Sequence, residues 1–202
     1  MNFNLKSNNS LTIIILLIIN TIIYCRSFDS LSYYEKFNIA TESYKQGRYA
    51  LSEKQFKNIL INDRDYFDPA AQLMMAKSQY QMANYNEAKR ASKAILSNFD
   101  QSPYDVDVLI LLGDIALSQG KTTMAFTYYI KARKKNKKDV YTKILDNRIH
   151  NSIGIGIDET IVEGLLFKEE NNNNRSIINI ARGYQEWING NYLNLELILE
   201  NI

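Results

Sequence analysis

The chain carries one cysteine, Cys25, and one histidine, His150. A lone thiol closes no disulfide within the chain, and one Cys with one His cannot supply a structural zinc site. Ser152 lies near His150, but no nucleophile-elbow glycines surround it, so His150 reads as a partly exposed helix residue. Gly120-Lys121-Thr122 has the ending of a phosphate-binding loop, yet Ile115 stands where that loop needs its first glycine. Gly154-Ile155-Gly156 lacks the third glycine and the preceding strand of a dinucleotide fingerprint. Glu169-Glu170 could do acid/base work only if burial tuned them, and they fall in a stretch, Glu169 to Arg175, that reads as a polar loop. The run Lys131 to Lys138 holds six cations in eight residues. It suits phosphate or anionic lipid, and equally a solvated helix end where cations complement the dipole. No nucleophile, base and orienting group come together, so the sequence predicts no catalytic site, no cofactor and no metal.

The elements around these residues are foreshadowed by composition. The 202 residues are 46% apolar and 23% charged, with 24 Lys+Arg against 22 Asp+Glu and a net charge of +2. That excludes collagen-like, disulfide-framework and wholly disordered chains, and it is too balanced for a protein that coats nucleic acid. Only two prolines, Pro69 and Pro103, and eight glycines interrupt the chain, which favours an all-α fold.

Residues Met1 to Ser10 are polar with the single cation Lys6, and Leu11 to Cys25 are apolar apart from Thr12, Asn20 and Thr21. This is the layout of a secretory signal. Fifteen helical residues span about 22 Å, short of a hydrocarbon core of about 30 Å, so residues 1–27 predict a cleaved signal, with a retained anchor as the alternative. Cys25 and Ser27 suit the small-residue positions of a cleavage site before Phe28. Cys25 also resembles the acceptor cysteine of bacterial lipoproteins, although Tyr24 replaces the small residue expected before it; lipidation there is the second alternative. Either way the sequence predicts an exported protein, in the periplasm or on the periplasmic face of an outer membrane.

A small residue followed two places later by Tyr or Thr recurs as Gly47-Arg48-Tyr49, Ala83-Asn84-Tyr85, Gly120-Lys121-Thr122 and Gly190-Asn191-Tyr192. The intervals are 36, 37 and 70 residues, the last being two periods. Gly154 and Gly156 mark the missing turn. Each marker separates two helical patterns: Val108, Leu109, Leu112, Ile115 and Ala116 precede the third turn, and Ala125, Tyr128, Tyr129 and Ala132 follow it. Two helices cannot bury such stripes alone, so the pairs must stack. The spacing predicts an all-α chain forming an α-solenoid of about five helix pairs: three over 28–138, then a degenerate fourth and an incomplete fifth over 139–202. Asp139 to Gly154 and Asp158 to Glu170 make the fourth pair, with Asp158 as an N-cap and Glu159 in the first turn. The fifth begins at Ser176 and its second helix near Tyr192. That last helix is still apolar at Leu195, Leu197, Ile198 and Leu199, which predicts a continuation, a partner, or a terminus that curls back.

These residues resemble the tetratricopeptide repeat. Leu112-Gly113, Gly120, Ala125, Tyr129 and Ala132 match its pattern in the third copy; Ala40, Gly47, Tyr49, Phe56 and Ile59 in the first; Ala76, Tyr85, Ala88 and Ile95 in the second. The first-helix Trp is absent, and Asp63, Asp100 and Lys137 stand near where the closing Pro belongs. The connector Asn98 to Tyr104 resembles that of bacterial outer-membrane assembly lipoproteins and Tol-Pal coordinators. The resemblance implies a right-handed solenoid and a non-enzymatic scaffold that binds a protein or peptide on its concave face, with membrane attachment, if any, through the N-terminus and neither nucleic acid nor a small-molecule substrate. It also implies that Phe37, Thr41, Tyr44, Leu73, Lys77, Tyr80, Ile110, Asp114 and Leu117 line that face or its floor. The degenerate fourth pair is similar as well to the N-terminal arm of periplasmic solute-binding proteins, whose ligand domain would lie beyond Ile202.

Overall fold

The computed structural model describes residues 28–62, 68–99, 101–153 and 157–200; the expected signal over 1–27, with Cys25, and the glycines at 154 and 156 lie outside them. Among the described residues there are ten α-helices, one 3₁₀ turn and no strand. The helices are α1 (Tyr33–Lys45), α2 (Tyr49–Asn62), α3 (Pro69–Gln81), α4 (Tyr85–Asn98), α5 (Asp105–Ser118), α6 (Thr122–Lys135), α7 (Asp139–Ile153), α8 (Glu159–Lys168), α9 (Asn172–Ile188) and α10 (Tyr192–Leu199).

Local chemistry sets the helix starts. Ser32 and Glu35 form a capping box on α1, the Ser32 amide donating to Glu35 Oε2 at 2.9 Å. Asp68 caps α3 by accepting from the Ala70 amide at 2.8 Å, with Pro69 at the first helical position, where its missing N–H is not needed. Asp158 caps α8 through the Ile161 amide, and Glu159 occupies the first turn, as the sequence predicts.

The four marker turns share one backbone solution. Gly47, Ala83, Gly120 and Gly190 have φ of 74°, 60°, 70° and 76°. In each, the following residue donates its N–H five residues back: Arg48 to the Ser43 carbonyl, Asn84 to Gln79, Lys121 to Ala116 and Asn191 to Glu186, all at 2.9 Å. This is the Schellman closure, which satisfies carbonyls orphaned at a helix end and requires a left-handed residue. Ala83 meets that requirement with a Cβ, at a cost of about 1–2 kcal/mol that glycine avoids. Glycine's greater freedom in the unfolded chain offsets part of the relief. Ala83→Gly is therefore expected to stabilise the fold by about 0.5–1 kcal/mol in denaturant unfolding, and Gly47→Ala to destabilise it.

From α1 to α7 each helix packs against the next, and α1 with α3 and α3 with α5 also touch. The core accordingly runs along the stack. Ala40, Phe56, Ile59 and Ala71 fill its first part; Leu73, Ala76, Ala88, Ile95, Val108 and Leu112 the second; Ala125, Phe126, Tyr129, Ile149, Val162 and Ile178 the third. Where helices approach most closely the buried residue is small. Ser52 donates to the Ala40 carbonyl at 2.9 Å and receives the Ser78 hydroxyl at 3.1 Å.

The regular succession changes after α7. Among the described residues α7 and α8 meet through side chains of the shared core, not along their backbones, while α9 packs on α8, on α10 and, more lightly, on α6. The polar loop expected over Glu169 to Arg175 is shorter than the sequence predicts, and α9 starts at Asn172, ahead of the Ser176 expected. Asn171 caps α9 by accepting from the Asn174 amide at 3.2 Å. Glu169 is only 4% exposed, not solvated: its Oε1 accepts from the Asn171 amide at 3.1 Å, and its carbonyl accepts from Arg175 at 2.8 Å. A run of asparagines looks like loop in sequence, but Asn is also one of the best N-cap residues, and here a cap starts the helix.

Candidate binding groove

α5 carries two carboxylates two turns apart on one face, Asp107 and Asp114. Each is held by a cation from one neighbouring helix and a phenol. Asp107 lies 3.4 Å from Lys77 Nζ of α3 and accepts the Tyr141 hydroxyl of α7 at 2.6 Å. Asp114 accepts the Tyr129 hydroxyl of α6 on Oδ1 at 2.8 Å and Arg148 Nη2 of α7 on Oδ2 at 2.8 Å, with Arg148 Nε 2.7 Å from Oδ1. These two nodes tie four helices together along one wall of a cavity of about 590 Å³. Tyr44, Met74, Gln81, Ile110, Leu117 and Asn151 complete much of its lining.

The nodes shift their members in defined directions. Burial, then the Asp114 charge and hydrogen bond, push the Tyr129 phenol well above its ordinary value. The hydrogen bond to Asp107, helped by burial, pushes Tyr141 up to about 12. Burial works to lower the Arg148 guanidinium, but the bond and charge of Asp114 outweigh it and the net shift is upward. A phenol whose pKa is raised on folding keeps its proton in the folded state after the unfolded chain has lost it. Stability therefore holds below pH 10 and falls above it, by about 1.4 kcal/mol per pH unit for Tyr129. Urea midpoints measured from pH 7 to 11 check this: Tyr129→Phe is expected to show a shallower alkaline decline than the parent, and an identical decline would contradict the assignment.

Of the nine residues expected on the concave face, six line this cavity: Tyr44, Lys77, Tyr80, Ile110, Asp114 and Leu117. The other three do not. Leu73 is 3% exposed and belongs to the core, because its side chain meets α4 and α5 residues inside the stack. Phe37 packs edge-on against Phe56 with ring centroids 5.3 Å apart, in the first part of the core. Thr41 is half-buried on α1 and is not among the lining residues. Sequence reasoning missed Asp107, Tyr141, Arg148 and Asn151. Asp107 was findable, being seven residues before Asp114; the α7 residues were not, because the α7 segment carries no clear marker of its register.

The tempting motifs resolve without chemistry of their own. Gly120-Lys121-Thr122 is a helix-to-helix turn with the closure described above. His150 is an exposed residue of α7. The basic run is the last turn of α6 and the link to α7, and half of its cations have carboxylate partners: Arg133 with Asp146, Lys134 with Glu169 at 3.8 Å, Lys135 with Asp105 at 2.6 Å. No protein-family model matches the chain, and no characterised protein matches its sequence.

Proposed function

We propose that the chain is a non-enzymatic interaction scaffold of the tetratricopeptide type, a right-handed solenoid of about five helix pairs that is exported to the cell envelope and grips a protein or peptide in the α1–α3–α5–α7 groove. The observation that carries this reading is the groove itself: a concave lining of phenols, amides and self-paired charges, supplied mainly by alternate helices of the stack, with the same turn recurring along it. Carboxylates and cations that neutralise each other orient a ligand without demanding a highly charged one. Tyr44, Tyr80 and Leu117 supply apolar area around them, and tyrosines are among the residues that dominate binding energy when desolvated.

Affinity capture from the envelope tests the reading. Lys77→Ala combined with Leu117→Ala removes groove chemistry while both side chains are partly exposed, and is expected to lose the captured partner with little change in thermal midpoint. Retention of the same partner would sink the groove assignment. Mass spectrometry of the mature amino terminus tests export, cleavage before Phe28 and modification of Cys25.

One observation favours a second reading. α10 leaves Leu193, Leu197 and Leu199 81%, 60% and 57% exposed, an apolar face suited to packing against another domain. In that reading the helices form the N-terminal arm of a periplasmic solute-binding protein. Strands and helices encoded in frame beyond Ile202 would support it; a stop codon there would not.

A further inference from the structure

We propose a second docking surface, at the corner where the end of α4, the start of α5 and the end of α6 meet, which takes an acidic peptide bearing one large apolar anchor. A pocket of about 290 Å³ opens there, its apolar wall made by Leu96, Phe99 and Leu109 and its rim by Lys131, Lys134 and Lys135. A second hollow of about 600 Å³ adjoins it, sharing Asp105, Lys134 and Lys135 and adding Lys137 and Lys138. Five lysines thus line two adjoining hollows, of which only the smaller has the apolar wall.

Internal pairing accounts for only part of this charge. Lys135 is 2.6 Å from the buried Asp105 and Lys134 is 3.8 Å from the buried Glu169, yet their side chains remain 50% and 57% exposed. Lys131, Lys137 and Lys138 are exposed and have no side-chain partner among the described residues. Asp105 therefore anchors Lys135 at the lip of the recess while the surplus positive charge faces solvent. Negative charge on the ligand is what complements such a rim.

The recessed floor selects the source of that negative charge. A membrane surface is met by protruding apolar side chains, whereas here Leu109 is 4% exposed and lies beneath the lysines. The smaller pocket falls just below the roughly 300–1,000 Å³ of sites that enclose a whole small molecule, so it fits an anchoring side chain whose parent chain continues outside. Carboxylates flanking that anchor then meet the exposed lysines, which leaves a short acidic peptide with one aromatic or long aliphatic residue as the occupant. This surface meets the groove of α1, α3, α5 and α7 only at Tyr141, and none of its five lysines lines that groove.

Fluorescence anisotropy with the full chain tests it, using a labelled peptide of glutamates and glycines with one central phenylalanine. The peptide is expected to bind, to weaken by about tenfold or more when serine replaces the phenylalanine, and to weaken similarly in Lys131→Glu/Lys137→Glu/Lys138→Glu, three exposed positions whose change leaves the thermal midpoint in place. Lys77→Ala, which alters the groove, is expected to leave this binding unchanged; a failure of the groove reading would therefore not register here. Absence of binding, equal binding by the triple-lysine variant, equal binding of the serine peptide, or capture by phosphatidylglycerol vesicles in place of the peptide would each overturn the proposal.

Discussion

Gly113→Ala is expected to lower the unfolding free energy by about 2–4 kcal/mol, a large effect for one methyl group. Gly113 lies in the middle of α5, where helix propensity alone would favour alanine by about 1 kcal/mol. Packing reverses that sign. A Cβ at this position would fall within 3 Å of three atoms of the Tyr129 ring. The ring cannot swing aside, since Tyr129 is fully buried and its hydroxyl is tied to Asp114 at 2.8 Å. Inserting the methyl costs about 1–3 kcal/mol of overpacking, and displacing the ring also loses a hydrogen bond to a charged acceptor, about 1.5–3 kcal/mol. Gly164 supplies the control. It is a helical glycine in α8 with nothing within 4 Å of its would-be Cβ, so Gly164→Ala is expected to stabilise by about 0.5–1 kcal/mol. Urea unfolding of the two variants with unchanged m-values checks both signs at once.

Asp114→Ala is expected to cost about 3 kcal/mol. It strands the Tyr129 hydroxyl in the core and takes the counter-charge from Arg148, whose side chain is 38% exposed. An unsatisfied buried donor costs about 1–3 kcal/mol, and leaving one member of a partly buried pair adds to it. Arg148→Ala should cost less, about 1 kcal/mol, because solvent already screens that end of the pair. Asp114→Asn should fall between them, its amide oxygen still accepting from Tyr129. Gly113→Ala and Asp114→Ala act through the same ring, so the double variant is expected to be less unstable than the sum of the singles by about 1–2 kcal/mol. Additivity would show that the Tyr129 ring is not the shared element.

The groove and the stability of the stack therefore rest on one set of contacts. Tyr129 fills the close approach of α5 and α6, and its hydroxyl fixes the carboxylate that in turn orients Arg148 on the groove wall. Conservative changes at the exposed edge, such as Lys77→Ala, separate binding from folding; changes at Asp114 do not. This is why the partner-capture experiment is built on Lys77 and Leu117.

Much of the architecture was legible because it is local. The small residues followed two places later by Tyr or Thr placed turns at Gly47, Ala83, Gly120 and Gly190, and all four adopt the left-handed closure that a helix end needs. Apolar stripes at spacings of three and four named Val108, Leu109, Leu112, Ile115, Ala116, Ala125, Tyr128, Tyr129 and Ala132 as one packed face, and all are buried except Tyr128, which is partly so. Six of nine expected groove residues line one cavity for the same reason, since residues on one helix face travel together. The errors fall where a single helix cannot decide. Leu73 and Phe37 share a helix with groove residues, but which sector of a helix turns inward depends on where its neighbours sit. The asparagine run gave no apolar period to read, and only its cap geometry revealed the start of α9.

What the amino-acid order determined alone was the succession of helices, the four closing turns and the small residues that let the helices approach, because these follow from backbone sterics and from periods shorter than one helix. Tertiary structure alone decided that α9 also reaches α6, that Glu169 is buried, and that Asp107 and Asp114 each find a phenol and a cation on different helices. The contacts of Asp107 and Asp114 join residues 15 to 34 positions apart, and charge pairing has no period along the chain by which it could be read beforehand.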